Sequence, residues 1–376
     1  VNQPLRRRFK AAADAFVSNA VNRNLRRAQL SFLGAWTAEW AFTVALGIVA
    51  YRDGGATAVG LVGLLRMVPS ALLAPLIAPL ADRGRRERAL VLISTVRGVA
   101  TGGAGLVLGL GGPVWIVYAL AAVSTVAATL YRPTHSALLP SLCRTGHELA
   151  SANVVRGMLD SVATLVGPLL AAVLLEFTSV AVVFAVAAGA SLAAAALVLR
   201  LRYDAPPRPA APPGVSLMTQ VREGIRAAVG NRDLALLIGL AILQTFTRGA
   251  LTVFTVVVAL NLLNIGEPGV GTVTAAVGAG AVIGSLVAST LVGSRRLAQW
   301  FGVGVALWGL PIALIAAFPH QAAALALLAC VGIGNALVDL GLFTLIARLA
   351  SDDVLARVFS LHESLVSLTV GLGAVV

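Results

Sequence analysis

Eight ionisable side chains lie inside apolar runs long enough to cross a bilayer: Glu39, Arg66, Arg97, Arg156, Asp160, Arg248, Asp339 and Glu363. A charge near the middle of a membrane costs at least about 2.5–3.5 kcal/mol, so each one is a candidate for handling protons, ions or substrate. Four carboxylates stand against four guanidiniums, which suggests pairing. A carboxylate beside an arginine in a low-dielectric site can exchange a proton as that arginine, or a substrate, approaches or leaves. A second charged group falls between two apolar runs, from Leu80 to Leu90, where Asp82 is followed by Arg83, Arg85, Arg86, Glu87 and Arg88. A knot of that kind must sit in water, either as a topological anchor or as a conformational latch.

Other chemistries lack their residues. A phosphate-cradling Walker loop needs Gly-Lys-Ser/Thr, yet Lys10 is the only lysine and its neighbours do not fit, which excludes ATP hydrolysis by these residues. His135, His147, His320 and His362 make no His-x-x-x-His set, and Cys143 and Cys330 are too scattered for a zinc site or a disulfide. There is no Gly-x-Ser-x-Gly nucleophile elbow. The expectation is a chain that is not an enzyme, with no catalytic residues, no metal and no cofactor.

The elements that position these charges follow from composition. With 58% hydrophobic residues, 12% charged residues and a mean hydropathy of +0.91, the chain is an all-α polytopic membrane protein. About 20 apolar residues span the hydrocarbon as a helix. That length predicts eleven spans, near 28–51, 56–81, 89–110, 113–131, 149–175, 179–199, 234–260, 269–292, 298–318, 321–347 and 354–376.

Lys and Arg collect in cytoplasmic loops. The tail before the first span, the knot at Asp82, Arg144, the 200–232 loop, Arg295, Arg296, Arg348 and Arg357 all fall on one side, while the other carries Arg52 beside Asp53, Glu176 and Glu267. The chain is therefore expected to be multi-pass in the inner (cytoplasmic) membrane with a cytoplasmic amino terminus. The net charge of +12 faces an anionic leaflet, so the lipid bilayer is the expected partner and no nucleic acid is required.

Residues 1–27 read as a cytoplasmic amphipathic segment, with Phe9, Ala13, Phe16, Ala20 and Val21 at helical spacing. A first bundle then occupies 28–202, a cytoplasmic linker with a surface helix 203–233, and a second bundle 234–376. The prolines at 206, 207, 209, 212 and 213 keep helix out of the linker. Asp160-Ser161 and Glu363-Ser364 occur at matching depth in the fifth and eleventh spans, which suggests two related halves about a pseudo-twofold axis.

With these residues in view, the knot at Leu80, Ala81, Asp82, Arg83, Arg86 and Leu90 resembles the loop between helices 2 and 3 of the major facilitator superfamily. Gly167-Pro168 resembles half of an exporter signature in helix 5, with Ala171-Ala172 in place of its closing glycines. Arg132-Pro133, Leu138-Leu139-Pro140 and Ala152-Asn153 are similar to the siderophore- and macrolide-exporter branch, and to actinobacterial members with a cyclic-nucleotide-binding domain. The resemblance implies two six-helix bundles, of which the twelfth helix lies beyond this chain, and allows a cytoplasmic regulatory domain in the parent polypeptide. It implies a monomeric, proton-coupled exporter of an amphiphilic small molecule. An importer and a non-transporting sensor or scaffold remain as alternatives.

In that family helices 1, 4, 7 and 10 line a central cavity, 2, 5, 8 and 11 form the contact between halves, and 3, 6, 9 and 12 are peripheral. The resemblance therefore makes Arg97, on helix 3, structural. Glu39 and Arg66 become the leading pair for proton coupling, with a permanent salt bridge as the other reading. Asp339, with Arg248 across the cavity, is the main alternative carrier and Glu363 the third. Arg156 and Asp160, four residues apart on one helix face, are expected to neutralise one another. Trp36, Trp40, Gln244 and Asn335 are the expected cavity lining. Asp82 and Arg83, supported by Arg86, are expected to grip the start of helix 11 near Arg357 as a cytoplasmic gate.

Overall fold

A chain in lipid has to satisfy its own backbone, and among the described residues all regular structure is helical. The computed structural model describes residues 21–83, 85–201, 225–226, 229–291, 296–349, 358, 362, 365–366 and 368–375; the side chains of 74–83, 147, 150, 289–290, 343–344 and 347–348 are outside that description. The first helical stretch, Arg23–Arg83, is broken at Gly54 and at Gly55, whose φ of 65° favours glycine, so it forms two spans, α1 (23–53) and α2 (56–83). There follow α3 (Arg86–Gly109), α4 (Val114–Leu142), α5 (Gly146–Phe177) and α6 (Val180–Leu199). The second half holds α7 (Arg232–Val257), which widens into a π-turn at Val258–Leu262, then α8 (Gly266–Leu291), α9 (Leu297–Ile315) and α10 (Gln321–Leu349). Helical residues at 358, 362, 365–366 and 368–373 make up what is described of α11.

Two boundaries differ from expectation for physical reasons. α4 was expected to end near 131. It runs on to Leu142 with Pro133 and Pro140 inside it. Each proline removes one backbone donor, yet both lie on the exposed side of the helix, while Thr134, His135, Leu138, Leu139 and Leu142 are buried and hold the added turns in place. α1 begins at Arg23 rather than 28, since Leu25 and Ala28 are fully buried in a core with Phe32, Tyr131 and Leu138. The remainder of the amino-terminal segment and most of the linker lie outside the described residues.

The ends carrying Arg23, Arg86, Arg144, Arg200, Arg232 and Arg296 form a basic face, and the opposite turns form a far face. Near the basic face a lock joins α1, α4 and α5. Asn22 Nδ2 donates to Glu148 Oε1 at 2.7 Å and to the Leu142 carbonyl at 3.0 Å, while the Arg144 amide donates to Glu148 Oε2 at 2.6 Å. Thr145, the residue before α5, accepts from the Glu148 amide at 3.1 Å, so Thr145 and Glu148 stand at the spacing of a capping box. Burial works against charge on Glu148. The Arg144 amide, the Asn22 amide and the Arg144 charge together outweigh it and hold the Glu148 pKa below its ordinary value of 4.5. The lock therefore stabilises fully above about pH 4.5 and is lost as the pH falls through the lowered value. Asn22→Ala is expected to flatten the acid limb of the melting temperature between pH 5 and 3; an unchanged slope would contradict the lock.

Within the first bundle α3 packs on α4 and α6, and α1 on α4, α5 and α6; in the second, α10 packs on α8 and α9. The halves meet along α5 with α8 and α2 with α11. At Gly278 on α8 a Cβ would fall on the Thr164 carbonyl of α5 and lie 2.5 Å from Leu165 Cα, so the two backbones touch. Gly278→Val is expected to cost about 1–3 kcal/mol by overpacking and to block sliding along this seam. A thermal-shift measurement checks the stability, and unaltered melting would show that the seam is loose.

At the far face, Arg52 Nε and Nη2 donate to Glu267 Oε1 and Oε2 at 2.5 Å each, and Tyr51 Oη donates to Asn261 Oδ1 at 2.6 Å. Tyr118 Oη donates to Asp53 Oδ2 at 2.8 Å. The first two contacts join α1 to the α7–α8 turn, across the halves. Gly47 beside Val256, Gly60 beside Ala374 and Met67 beside Gly371 continue the same contact inward. All these described contacts between halves lie between the mid-membrane and the far face.

Candidate functional site

Two charge clusters occupy the middle of the first bundle and the space between the halves. The first is buried. Glu39 Oε1 accepts from Arg66 Nη2 at 3.1 Å, and Glu39 Oε2 accepts from Arg97 Nη2 at 2.8 Å. Arg66 Nε also donates to Thr125 Oγ1 at 2.7 Å, and Arg97 Nη2 donates to the Ala35 carbonyl at 3.1 Å. Aromatic faces complete the enclosure, with Phe42 4.9 Å from the Arg66 guanidinium and Tyr131 5.9 Å from that of Arg97. Arg66 is 5% exposed and Arg97 1%. One carboxylate thus ties α1, α2 and α3 together, with α4 as a further hydrogen-bond partner.

The second cluster is open to solvent and shared by both halves. On one side Arg132 Nη2 donates to Asp160 Oδ2 at 2.8 Å, and its guanidinium lies 5.0 Å from the Trp36 ring. The Arg132 side chain is 46% exposed. Arg156 sits within electrostatic range of both Arg132 and Asp160, over the Phe32 ring at 6.0 Å, with Nε buried and unpartnered among the described residues. On the other side Asn335 Nδ2 donates to Asp339 Oδ2 at 3.0 Å, and Gln244 Nε2 donates to Asn335 Oδ1 at 3.5 Å. Asp339 is exposed, and it feels Arg248 from its own half together with Arg132 and Asp160 from the other. A rise of 1.5 Å per residue puts Arg132, Arg156 and Asp339 at about 15 Å from the basic ends of their helices, hence in one layer.

The profile described as Major Facilitator Superfamily matches residues 30–374. The chain belongs to the major facilitator superfamily. By that membership it is a membrane transporter and not an enzyme. A bacterial homologue of the human lysosomal transporter Spinster, solved inward-facing and unoccupied, is similar with a TM-score of 0.69 and 18% identity, over 93% of this chain and 80% of that one. The nucleoside transporter NupG, carrying a point substitution, gives a TM-score of 0.77 at 12% identity, over 94% and 90%. A D-xylose–proton symporter gives 0.63 at 13%, over 92% and 87%. Among curated protein sequences nothing matches.

Several residues of this facilitator stand elsewhere than their spacing suggested. Arg97, on a helix expected to be peripheral, reaches Glu39, because α3 turns that side chain inward toward α1. Asp160 pairs with Arg132 rather than with Arg156, since Arg132 lies within α4 and not past its end. Arg248 lies near Asp339 without an ion pair between them among the described residues. Trp40 packs against α5, where a Cβ at Gly167 would lie 2.5 Å from Trp40 Cβ and 2.7 Å from the Thr37 carbonyl. Gly167-Pro168 thus serves two contacts, since the Pro168 carbonyl faces Gly271 of α8. Arg86 donates to the Ala137 carbonyl of α4, within its own half. Arg357 and Glu363 lie outside the described residues, as do the side chains of Asp82 and Arg83. Among the described residues no group of three or more His, Cys, Asp or Glu is placed to hold a metal.

Arg132 was the residue that spacing missed. Its signal was available: an arginine followed by proline, thirteen residues before Thr145, leaves room for three more helical turns.

Proposed function

We propose that the chain is a proton-coupled secondary transporter of an amphiphilic small molecule, working by alternating access with Asp339 as the proton carrier. One observation carries this reading: Asp339 is a carboxylate that water reaches deep between the halves, enclosed by protein and in the field of Arg132 and Asp160 on one side and Arg248 on the other. A group that both halves bias, and that water reaches, can link protonation to their relative position. The buried triad suits a different role, as the fixed clamp of the first bundle. Trp36 beside Arg132 on one half, with Asn335 beside Asp339 on the other, supports an amphiphilic ligand with an aromatic or apolar body.

The basic face is the cytoplasmic one on this reading. The contacts at the far face then belong to an outer gate, of which Arg52–Glu267 is a part. An exposed pair is worth about 0.2–1 kcal/mol, so Arg52→Ala is expected to raise labelling of a Val256→Cys reporter by at most about fivefold. Native Cys143 interferes little, because burial and then Glu148 push its thiol up to about 11. A reporter indifferent to Arg52→Ala would show that the pair does not hold the outer side shut.

Gly167-Pro168 supports export, and the run from Arg132-Pro133 to Asn153 supports the siderophore- and macrolide-exporter branch. Import is the second reading, favoured by the surplus of arginine over aspartate between the halves. The deciding experiment uses a ligand selected by thermal shift at several pH values and proteoliposomes with an imposed pH gradient. Ligand flux that follows the gradient and vanishes with a protonophore is expected. Binding without flux would identify a sensor or scaffold that has kept a transporter's fold.

A further inference from the structure

We infer that the space between the halves binds an organic anion, and that this anion and a proton on Asp339 bind together, so that the two cross in the same direction. The inference rests on the proton-coupled reading above and names its ligand class.

Charge is the first reason. Around the second cluster the described charges are Arg132, Arg156 and Arg248 against Asp160 and Asp339, which leaves a surplus of one positive charge. Asp160 is already engaged by Arg132 at 2.8 Å, and Asp339 by the Asn335 amide at 3.0 Å. The Arg248 side chain makes no hydrogen bond or ion pair among the described residues, although α7 holds it part-buried in the middle of the protein. Arg156 Nε is buried and unpartnered among them too. Partly desolvated guanidinium donors left without acceptors are costly. A carboxylate or sulfonate supplies acceptors in the fork geometry that an arginine presents. A cationic ligand would face three guanidiniums instead.

Shape is the second reason. Trp36 stacks on Phe32 at 5.8 Å between centroids and holds Arg132 at 5.0 Å, so a flat apolar surface adjoins the positive charge. The pairing of apolar plane and cation fits a molecule with an aromatic body and an anionic head.

Coupling follows from what faces Asp339. From α4 it faces Arg132, from α5 Asp160, from α7 Arg248, and on its own helix Asn335. Past Glu267 at the far-face turn, α8 and α9 bring no ionisable residue in their spans; on α11, His362 is buried and Glu363 lies outside the described residues. Protonating Asp339 removes a negative charge that a bound anion would face. Proton and anion therefore each strengthen the binding of the other, by thermodynamic reciprocity. Ligands that bind together cross together, and a proton gradient directed into the cell then drives uptake.

Three fluorescent probes that differ mainly in charge test this: dansylglycine (anion), dansylglycinamide (neutral) and dansylcadaverine (cation). With the reconstituted chain, dansylglycine is expected to bind about tenfold more tightly than either of the others and to tighten between pH 8 and pH 6. Its entry into proteoliposomes should acidify the lumen above the protein-free control. Arg248→Gln should lose about tenfold in affinity for dansylglycine alone, while Arg248→Lys keeps most of it and both melt like the parent. Equal or tighter binding of the neutral or cationic probe, or alkalinisation on dansylglycine entry, would overturn the inference. Exchange of dansylcadaverine for protons would overturn it while leaving proton coupling standing. Absence of proton movement with all three probes would overturn both readings.

Discussion

Glu39→Gln is expected to destabilise the first bundle by about 3–5 kcal/mol, the cost of leaving a buried charge without its counter-ion. Here two guanidiniums are left, since Arg66 and Arg97 both lean on the one carboxylate at 3.1 and 2.8 Å. The amide of Gln keeps one acceptor and turns donors toward the other arginine, so at most one of the two contacts survives and neither guanidinium keeps a counter-charge. Glu39→Asp, which is shorter, should lose one of the two contacts and fall between. Removing a cation as well, in Glu39→Gln with Arg97→Gln, should recover part of the loss, because only Arg66 then needs a partner. Thermal melting of the purified variants checks the order. If Glu39→Gln melts with the parent, the triad is not a clamp, and Glu39 returns as a proton carrier.

Asp339→Asn is expected to have the opposite profile, with little change in melting and complete loss of gradient-driven flux. Its side chain is exposed, and Asn can still accept from the Asn335 amide, so the local packing survives. What goes is the site where a proton changes the charge between the halves. Exchange of labelled for unlabelled ligand at equal pH needs no net proton movement and should persist. Uphill flux that survives in Asp339→Asn would assign the proton to another group, with Asp160 next in reach through Arg132.

The fold was legible because lipid imposes one rule on every span: length and apolarity alone located ten of the helices, and their basic ends sorted to one side. Charge inside apolar spans also drew attention to Glu39, Arg66, Asp160, Arg248 and Asp339, which lie in or beside the two clusters. What spacing did not yield was partnership. Asp160 has Arg156 four residues away on its own helix, yet it binds Arg132 of α4, because rotation about the helix axis and the proline-bearing turn of α4 decide which guanidinium arrives. Arg97 was set aside by the role of its helix, whereas its own length lets it cross from α3 to Glu39. The far-face contact of Arg52 with Glu267 spans more than half the chain, and nothing local to either residue announces it.

The central claim is that ligand movement and proton movement are one event, linked at Asp339. A pH indicator sealed inside proteoliposomes tests it directly when ligand is added with no gradient imposed. The account predicts a prompt change in lumenal pH with the parent chain and none with Asp339→Asn. Ligand entering the parent vesicles at full rate while the lumenal pH stays constant would contradict it.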